Sequence, residues 1–437
     1  MSDALERRLG LFDTTAVVIG AIIGVGIFFT PAEVARLAGS PERALLVWAL
    51  GGVVGLLGAL TFAELGRRFP QAGGQYEVLR RAWGPTTAFV HTFCVQTAVL
   101  PGSAALIALI TAFNLSLAVN GVPPDWHTGT PVAAALVVGV ALANAVGVRA
   151  GAGIQNLTVV SKVVTLLAIA ALALFVGAPE PVAASATQGA LNSTAAAGSS
   201  LFVALLPAMF SYGGWQQGLW MGGEVKDAER TLPRALVAGV VVVVAVYLLA
   251  AWAYFDLLGF DGVVQSKALA AEAVDRVYPG VGGRVVAAAV AVSAFGVLNV
   301  QFLTGPRLTY AVAADGRFFR AFARIHQRTG TPVAAIALLT ALTLGALAVG
   351  TDAIGDITAW IVVLDALFFG LTGWALLRLG ATGPRWWLCA GGFAVLEWTC
   401  VVYSALDDKV QASAAAGAVW IIAAIAASRL APALSRA

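Results

Sequence analysis

Charge is what this 437-residue sequence has least of: only 11% of its residues are Asp, Glu, Lys or Arg, while 59% are hydrophobic. A soluble domain carries about 25% charged residues, so water cannot be the solvent for most of this surface and a bilayer must be. The formal net charge of +3, with its cations scattered along the chain, excludes a nucleic-acid surface or an acidic partner. Cysteine is nearly absent, and Cys94, Cys389 and Cys400 each sit in an apolar run without the close pairing of a zinc or redox site. The three histidines, His91, His127 and His326, lack ligand spacing, so no metal is expected. There is no HExxH, no nucleophile elbow and no Walker lysine, which removes those catalytic chemistries and any ATP motor within the chain. Nothing implies a cofactor. The first apolar run lacks the small-residue cleavage pattern of a secretory signal, so no removed segment is expected.

What the sequence does have is long apolar runs, and about 20 apolar residues cross a bilayer as a helix. They fall at Asp13–Leu37, Ala44–Gly66, Pro85–Val119, Pro131–Val148, Gly153–Val176, Ser199–Met221, Ala235–Leu258, Val285–Val312, Val333–Val349, Ile357–Leu377, Trp386–Tyr403 and Ala412–Ala427. The expected fold class is therefore an all-α membrane protein of twelve transmembrane helices forming a single domain. An even number of crossings puts both termini on one side, and 19 of the 26 Lys and Arg residues fall on that side. Cytoplasmic loops carry the excess of cations, so both termini are expected in the cytoplasm. The longer connections, Phe69–Gly84, Gly259–Gly283 and Asp315–Pro332, are too short to fold alone.

Two of the runs contain glycine clusters at mid-depth, GAIIGVGIF from Gly20 to Phe28 and FSYGGWQQG from Phe210 to Gly218. Glycines can simply let membrane helices pack closely, and Gly20 with Gly24 fits that spacing. Clusters at matching places in the first and sixth helices instead suit a five-helix unit repeated in inverted topology. An unwound helix exposes N–H groups that favour an anion and carbonyls that favour a cation. On this geometry the amides of Val25, Gly26 and Ile27 would hold a carboxylate, and the carbonyls of Ile22, Phe210 and Gly213 would face an ammonium. Neither broken segment carries a charged side chain, so a zwitterionic α-amino acid fits better than a metal ion or a sugar.

These motifs resemble the amino acid, polyamine and organocation superfamily over most of the chain. GAIIGVGIF resembles its first-helix motif, FSYGGW with the following Glu224 to Arg234 its sixth helix and loop, and Arg307 to Pro332 its eighth-helix end and loop. Tyr212-Gly213-Gly214-Trp215, and Ile154-Gln155-Asn156 with Lys162, look most like the L-type amino acid transporters and their bacterial relatives. The resemblance implies a leucine-transporter-like fold with inverted repeats over residues 13–176 and 199–377, followed by two helices over 386–427. It implies alternating access around a central site, with Phe210 as an aromatic gate. Val25 stands where the family often has a small or hydroxylated residue, and Gln216 where animal L-type relatives often carry a substrate-facing asparagine. Those relatives bond a glycoprotein partner through a cysteine in the loop after helix three. Here Asn120 to Thr130 holds none, so no disulfide-linked subunit is expected.

Three further residues carry expectations. Lys162 lies roughly 13 Å inside helix five at about 1.5 Å per residue, too deep for its stem to snorkel. It either caps a helix end or pairs with a buried acid, or, as the resemblance implies, replaces the ion of sodium-coupled cousins by meeting carbonyls near Gly20 and Ala21 and helix eight near Ser293. Asp365, inside helix ten, is a candidate proton carrier or an ordinary hydrogen-bonded acid. Glu64 and Glu397 are placed nearer helix ends, facing water or headgroups. Trp83, Trp126, Trp386 and Trp387 suit the interfacial aromatic belt, and Asn114, Asn156 and Asn192 match glycosylation triplets.

The expectation is a sodium-independent secondary transporter of neutral L-amino acids, working by exchange or proton-linked uptake, with the composition of a bacterial inner-membrane protein. The alternatives are a cationic amino acid or polyamine carrier, for which an extra acid in the pocket would argue, and a channel or membrane-embedded enzyme. The chain shows no continuous polar stripe or catalytic constellation for the latter.

Overall fold

The computed structural model describes residues 5–176, 201–349, 351–406 and 411–434. Asn192, Lys409, Arg436 and the first two residues of the sixth run, Ser199 and Ser200, lie outside them. Every apolar run read from the sequence falls on helix, and among the described residues no strand occurs, only an isolated bridge between Leu9 and Val225. Among the described residues, seven helices are long and apolar enough to cross a membrane: Pro41–Arg68, Pro85–Asn120, Trp126–Val146, Val148–Val176, Ala228–Gln265, Gly282–Ala314 and Pro384–Tyr403. Leu11–Ile22 and Val333–Val349 are apolar but shorter.

The distribution of side chains is that of a protein dissolved in hydrocarbon. On Val148–Val176, Leu157, Val160, Val164 and Leu167 form an exposed apolar stripe at helical spacing. The opposite stripe buries Gln155, Thr158 and Lys162. Polar groups face inward because only there can they find partners. Asn144 Nδ2 donates to Asn299 Oδ1 at 3.0 Å, and Asn299 Nδ2 donates to the carbonyl of Gly151 and to Gln155 Oε1. That network ties three helices together behind the first broken segment.

Several helices deviate where the sequence forces them to. Pro101 has no N–H to give, and the turn before it widens into a π segment at Val95–Val99. Pro306 divides Gly282–Thr304 from Pro306–Ala314, and the carbonyl of Gly305 accepts from both the Leu308 amide and Gln96 Nε2. Ala228–Gln265 turns at Gly259, whose φ of 68° only glycine adopts easily, next to the expected helix end at Leu258.

Two of the longer connections contain helices, Gly74–Trp83 and Leu269–Val277. The first buries Tyr76, Val78 and Leu79 while Glu77 pairs with Arg80 and Arg81 one turn on. Burial opposes ionisation of Glu77, yet hydrogen bonds from the two arginines hold its carboxyl below the ordinary value.

Near the N-terminus, the amides of Arg8 and Leu9 both donate to the carbonyl of Glu224. The Glu224 side chain receives Arg307 Nε at 2.7 Å and Nη2 at 2.9 Å, both residues being buried. This bidentate pair locks the loop after the sixth run to the helix at Pro306–Ala314. Removing one partner of a buried pair strands the other charge, at about 3–5 kcal/mol. Glu224→Gln is therefore expected to lower the unfolding temperature in detergent by several degrees, and Glu224→Gln with Arg307→Met to recover much of that loss. An unchanged melting temperature in the single variant would show that the pair does not hold this face together.

Candidate functional site

The two glycine clusters are both interruptions in helix. Leu11–Ile22 ends at Ile23, whose φ of −71° and ψ of 91° are extended, and a 3-10 turn at Gly26–Phe28 leads into Thr30–Ala38. Leu201–Ser211 ends before Tyr212, and helix resumes at Gln216–Trp220. The breaks touch: a Cβ on Gly214 would lie 2.4 Å from the Ala21 carbonyl oxygen, and Gly214 has a φ of +115°. Only glycine satisfies both conditions.

Anchored aromatics hold the second break in place. Tyr212 is buried, donates its hydroxyl to the Trp48 carbonyl at 3.1 Å and packs edge-on against Trp48. Gly51 makes the room, since a Cβ there would meet the Tyr212 ring at 3.1 Å. Trp215 stacks on Phe369 with centroids 5.2 Å apart and fits over Gly58.

Between the breaks lies a cavity of about 360 Å³. Gly24, Val25 and Gly26 line it from the first break, and Phe210, Gly213 and Gln216 from the second. Its lining continues to Ile110, Leu206 and Cys400, in the halves of their helices remote from the Leu9 and Glu224 face. Toward that face Thr304 Oγ1 donates to Gln217 Oε1 and Trp220 Nε1 donates to Gln75 Oε1, below which stands the Glu224–Arg307 pair. A second hollow of about 480 Å³, bounded by Phe28, Phe113 and Val286, has a lining that is mostly apolar apart from Asn114 and Lys267. It lacks the convergent polar groups of a recognition site.

The amides of Val25, Gly26 and Ile27 donate to no acceptor among the described residues. Val25 and Gly26 line the cavity, whereas the Ile27 side chain is fully buried in the apolar core and Ile27 is not part of the lining. Of the three carbonyls read as facing an ammonium, that of Ile22 accepts from the Tyr247 hydroxyl at 3.1 Å and that of Phe210 from the Gly213 amide. The Gly213 carbonyl has no partner among the described residues. The Phe210 side chain is 57% exposed, so its ring does not close over the break. Gln216 is buried, and its Oε1 has no hydrogen-bond partner among the described residues.

Lys162 reaches the first break. Its Nζ donates to the carbonyls of Ile23 at 2.7 Å and Gly20 at 3.0 Å, and its stem fits against Gly296, where a Cβ would lie 2.9 Å from Cε. The expected contact with Ala21 is replaced by Ile23, because the Ala21 carbonyl points the other way, onto Gly214. Ser293 is near, but its hydroxyl donates to the Gly24 carbonyl at 3.0 Å. Lys162 and Ser293 thus divide the orphan carbonyls of the broken helix between them. Gly20 itself is a packing glycine, since a Cβ there would fall 1.7 Å from Gln155 Nε2.

Asp365 lines the cavity, and so does Glu397, which the sequence reading placed toward water or headgroups. Glu397 stands near the middle of Gly392–Leu406 and its neighbouring turns, with Phe393 one turn before it also in the cavity wall. Glu64, by contrast, pairs with Arg67 and Arg68 at its helix end. No group of three His, Cys, Asp or Glu side chains is arranged to hold a metal among the described residues.

A helical membrane protein whose unpaired backbone groups converge on a cavity between two interrupted helices can hold a small solute at mid-depth, which is the architecture of a solute transporter. Residues 9–436 match the family described as amino acid permease. The serine/threonine exchanger SteT of Bacillus subtilis (strain 168) is 27% identical over 391 residues, covering 88% of this chain and 86% of its own. The human b(0,+)-type amino acid transporter 1 is 31% identical over 337 residues, covering 76% of this chain and 68% of the relative. The human Asc-type amino acid transporter 1 is 30% identical over 381 residues, covering 86% and 72%. The chain belongs to the amino acid permease family, within the amino acid, polyamine and organocation superfamily. It is a multi-pass membrane transporter of amino acids and not an enzyme.

Proposed function

We propose that the chain carries neutral L-amino acids without sodium, by exchange or proton-linked uptake, through alternating access around the cavity between the broken helices. The observation that carries this reading is that Val25 and Gly26, with amides unpaired among the described residues, line the same cavity as Gly213, whose carbonyl is likewise unpaired. N–H groups at a helix start hold a carboxylate, and a carbonyl across the cavity receives an ammonium. An apolar wall of Val54, Phe369 and Phe393 suits an uncharged side chain, with Gln216 as a polar contact. Phe210 would swing over the bound substrate as the outer gate. The names of the Bacillus relative, a serine/threonine exchanger, and of the large neutral amino acids transporter small subunit 2 from rabbit support exchange and neutral substrates.

The same reading has twelve crossings in a bacterial inner membrane with both termini cytoplasmic. Residues 13–176 and 199–377 are the inverted repeats, and residues 386–427 form the last two helices. No disulfide-linked subunit is proposed, in line with the cysteine-free Asn120–Thr130 loop.

Purified protein in liposomes, filled or not with an unlabelled neutral amino acid, tests this directly. Internal substrate or an inward proton gradient is expected to raise uptake of labelled neutral amino acids several-fold, with equal rates in sodium and in choline. Uptake indifferent to both internal substrate and proton gradient would sink the transport mode proposed. Saturable binding of no neutral amino acid would sink the substrate class.

A further inference from the structure

The arginines on the face of Leu9 and Glu224 differ in how their charge is answered. Arg67 and Arg68 pair with Glu64, Arg80 and Arg81 with Glu77, and Arg307 with Glu224. Residues 224–234 set Lys226, Arg230 and Arg234 against Glu224, Asp227 and Glu229. The connection between Pro306–Ala314 and Val333–Val349 has no such balance. No Asp or Glu occurs between Asp315 and Asp352, yet Arg317, Arg320, Arg324 and Arg328 all precede Pro332. Arg317 reaches back to Asp315 at 3.6 Å. Arg320, Arg324 and Arg328 are exposed and belong to no ion pair among the described residues.

The segment that carries them is folded, not a loose run of charge. The amide of Arg317 donates to the Val312 carbonyl, that of His326 to the Thr331 carbonyl and that of Gly330 to the His326 carbonyl. The Thr331 hydroxyl donates to the carbonyl of Ala145 at 3.0 Å, which ties the segment to the end of Trp126–Val146. Between the arginines stand three phenylalanines. The ring centroids of Phe319 and Phe322 lie 5.1 and 5.0 Å from that of Phe318, and Phe318 packs on the apolar core beneath. All three rings are only half-buried. The segment leads directly into Val333–Val349, on which Ala337, Ala341, Gly345 and Ala348 form an exposed apolar stripe at helical spacing. Such a stripe meets hydrocarbon, so the segment before it stands at headgroup depth, where aromatic rings and basic side chains are found together.

We propose that residues 317–328 form a docking surface for anionic phospholipids of the adjoining leaflet, with Arg320, Arg324 and Arg328 on the headgroup phosphates and the phenylalanines among the upper acyl chains. A guanidinium presents a planar fork of donors that matches phosphate oxygens, and the segment holds no carboxylate to compete for it. A zwitterionic headgroup cancels its phosphate with its own ammonium, whereas an anionic one does not, so the surface selects lipids by net charge. The proposal is independent of which amino acid the chain carries and of how transport is driven.

Phosphatidylglycerol and phosphatidylcholine with the same acyl chains differ in net charge, so they form the decisive pair. The purified full chain in detergent is offered equal amounts of both, and the bound lipids are counted as adducts by native mass spectrometry. An arginine near an anionic surface is worth about fivefold in binding. Unmodified protein is therefore expected to prefer phosphatidylglycerol at least tenfold, and the variant with Arg320→Gln, Arg324→Gln and Arg328→Gln together to lose at least fivefold of that preference. A comparison variant with Lys226→Gln, Arg230→Gln and Arg234→Gln removes as much charge from the same face and is expected to lose less than twofold. Equal binding of the two lipids by unmodified protein would overturn the docking surface. So would an undiminished preference in the first variant, or an equal loss in both, which would mean that only the total charge of the face matters. If the first variant fails to fold, Arg324→Gln alone takes its place: a loss of at least twofold is expected, and an unaltered preference would overturn the proposal.

Discussion

Lys162→Ala is expected to lower the rate of transport at least tenfold while substrate binding survives in part. The ammonium nitrogen donates to the carbonyls of Gly20 and Ile23, on either side of the point where the helix stops at Ile22. Without it, two buried carbonyls lose their partner, each at about 1–3 kcal/mol. Even the lower bound summed over two exceeds the roughly 1.4 kcal/mol that makes a tenfold change in an equilibrium. The loss falls on transport because these carbonyls fix one arrangement of the half-helix against Val148–Val176, while the amides read as holding the substrate carboxylate lie beyond the break. The initial uptake rate in liposomes, set beside equilibrium binding in detergent, separates the two effects. Lys162→Met, which keeps a stem against Gly296 but donates nothing, is expected to behave like the alanine variant.

The same contacts predict indifference to sodium. A sodium ion at this break would need carbonyl oxygens, and those of Gly20, Ile23 and Gly24 are already engaged by Lys162 and Ser293. Sodium-stimulated uptake by the unmodified protein, or full transport in Lys162→Met, would remove Lys162 from this role.

How far such a site can be read from sequence depends on what kind of signal each part leaves. The breaks were legible because glycine clusters in an apolar run leave few alternatives, and Lys162 because a cation at that depth must find oxygen. Which oxygens it finds was not legible. Residues on a helix end differ by about 100° of rotation from one to the next, and only the docking of Gly214 onto the Ala21 carbonyl decides that Ile23 and Gly20 face the lysine. The hydroxyl of Tyr247, which takes the Ile22 carbonyl, comes from a helix more than 200 residues away and left no local trace. Glu397 was misjudged for a different reason. It sits between Leu396 and Trp398, as Asp365 sits between Leu364 and Ala366, and that shared pattern was the available signal. Distance from the helix end hid it, because the described helical stretch runs on from Pro384 to Leu406 and puts Glu397 well inside. The exposure of Phe210 depends on how the break packs against residues distant in the chain, which its local sequence does not specify.

Gly26→Val is expected to weaken substrate binding by at least a hundredfold in a protein that still folds, and the folding half of this statement follows from the geometry of the position. A Cβ on Gly26 would lie 3.3 Å from Ser211 Oγ and 3.4 Å from Thr30 Oγ1, distances that a shift of a few tenths of an ångström relieves. Its backbone is outside the left-handed region, so a branched residue fits the chain there. The binding half follows from where that side chain goes. The amides of Val25, Gly26 and Ile27 are unpaired among the described residues, and Val25 and Gly26 border the cavity, so the valine methyls would occupy the space through which a carboxylate approaches them. A hundredfold loss is about 2.7 kcal/mol, the size of one or two charge-assisted hydrogen bonds. Gly26→Ala, with one methyl, is expected to lose about tenfold by the same reasoning. Gly214→Ala is the contrasting case: its Cβ would fall 2.4 Å from the Ala21 carbonyl oxygen in a backbone at φ +115°, so it is expected to lower the melting temperature as well as binding. Calorimetric titration with a neutral amino acid, paired with thermal unfolding in detergent, distinguishes the two glycines. Undiminished binding by Gly26→Val would mean that the substrate carboxylate is held elsewhere than on this stretch of backbone.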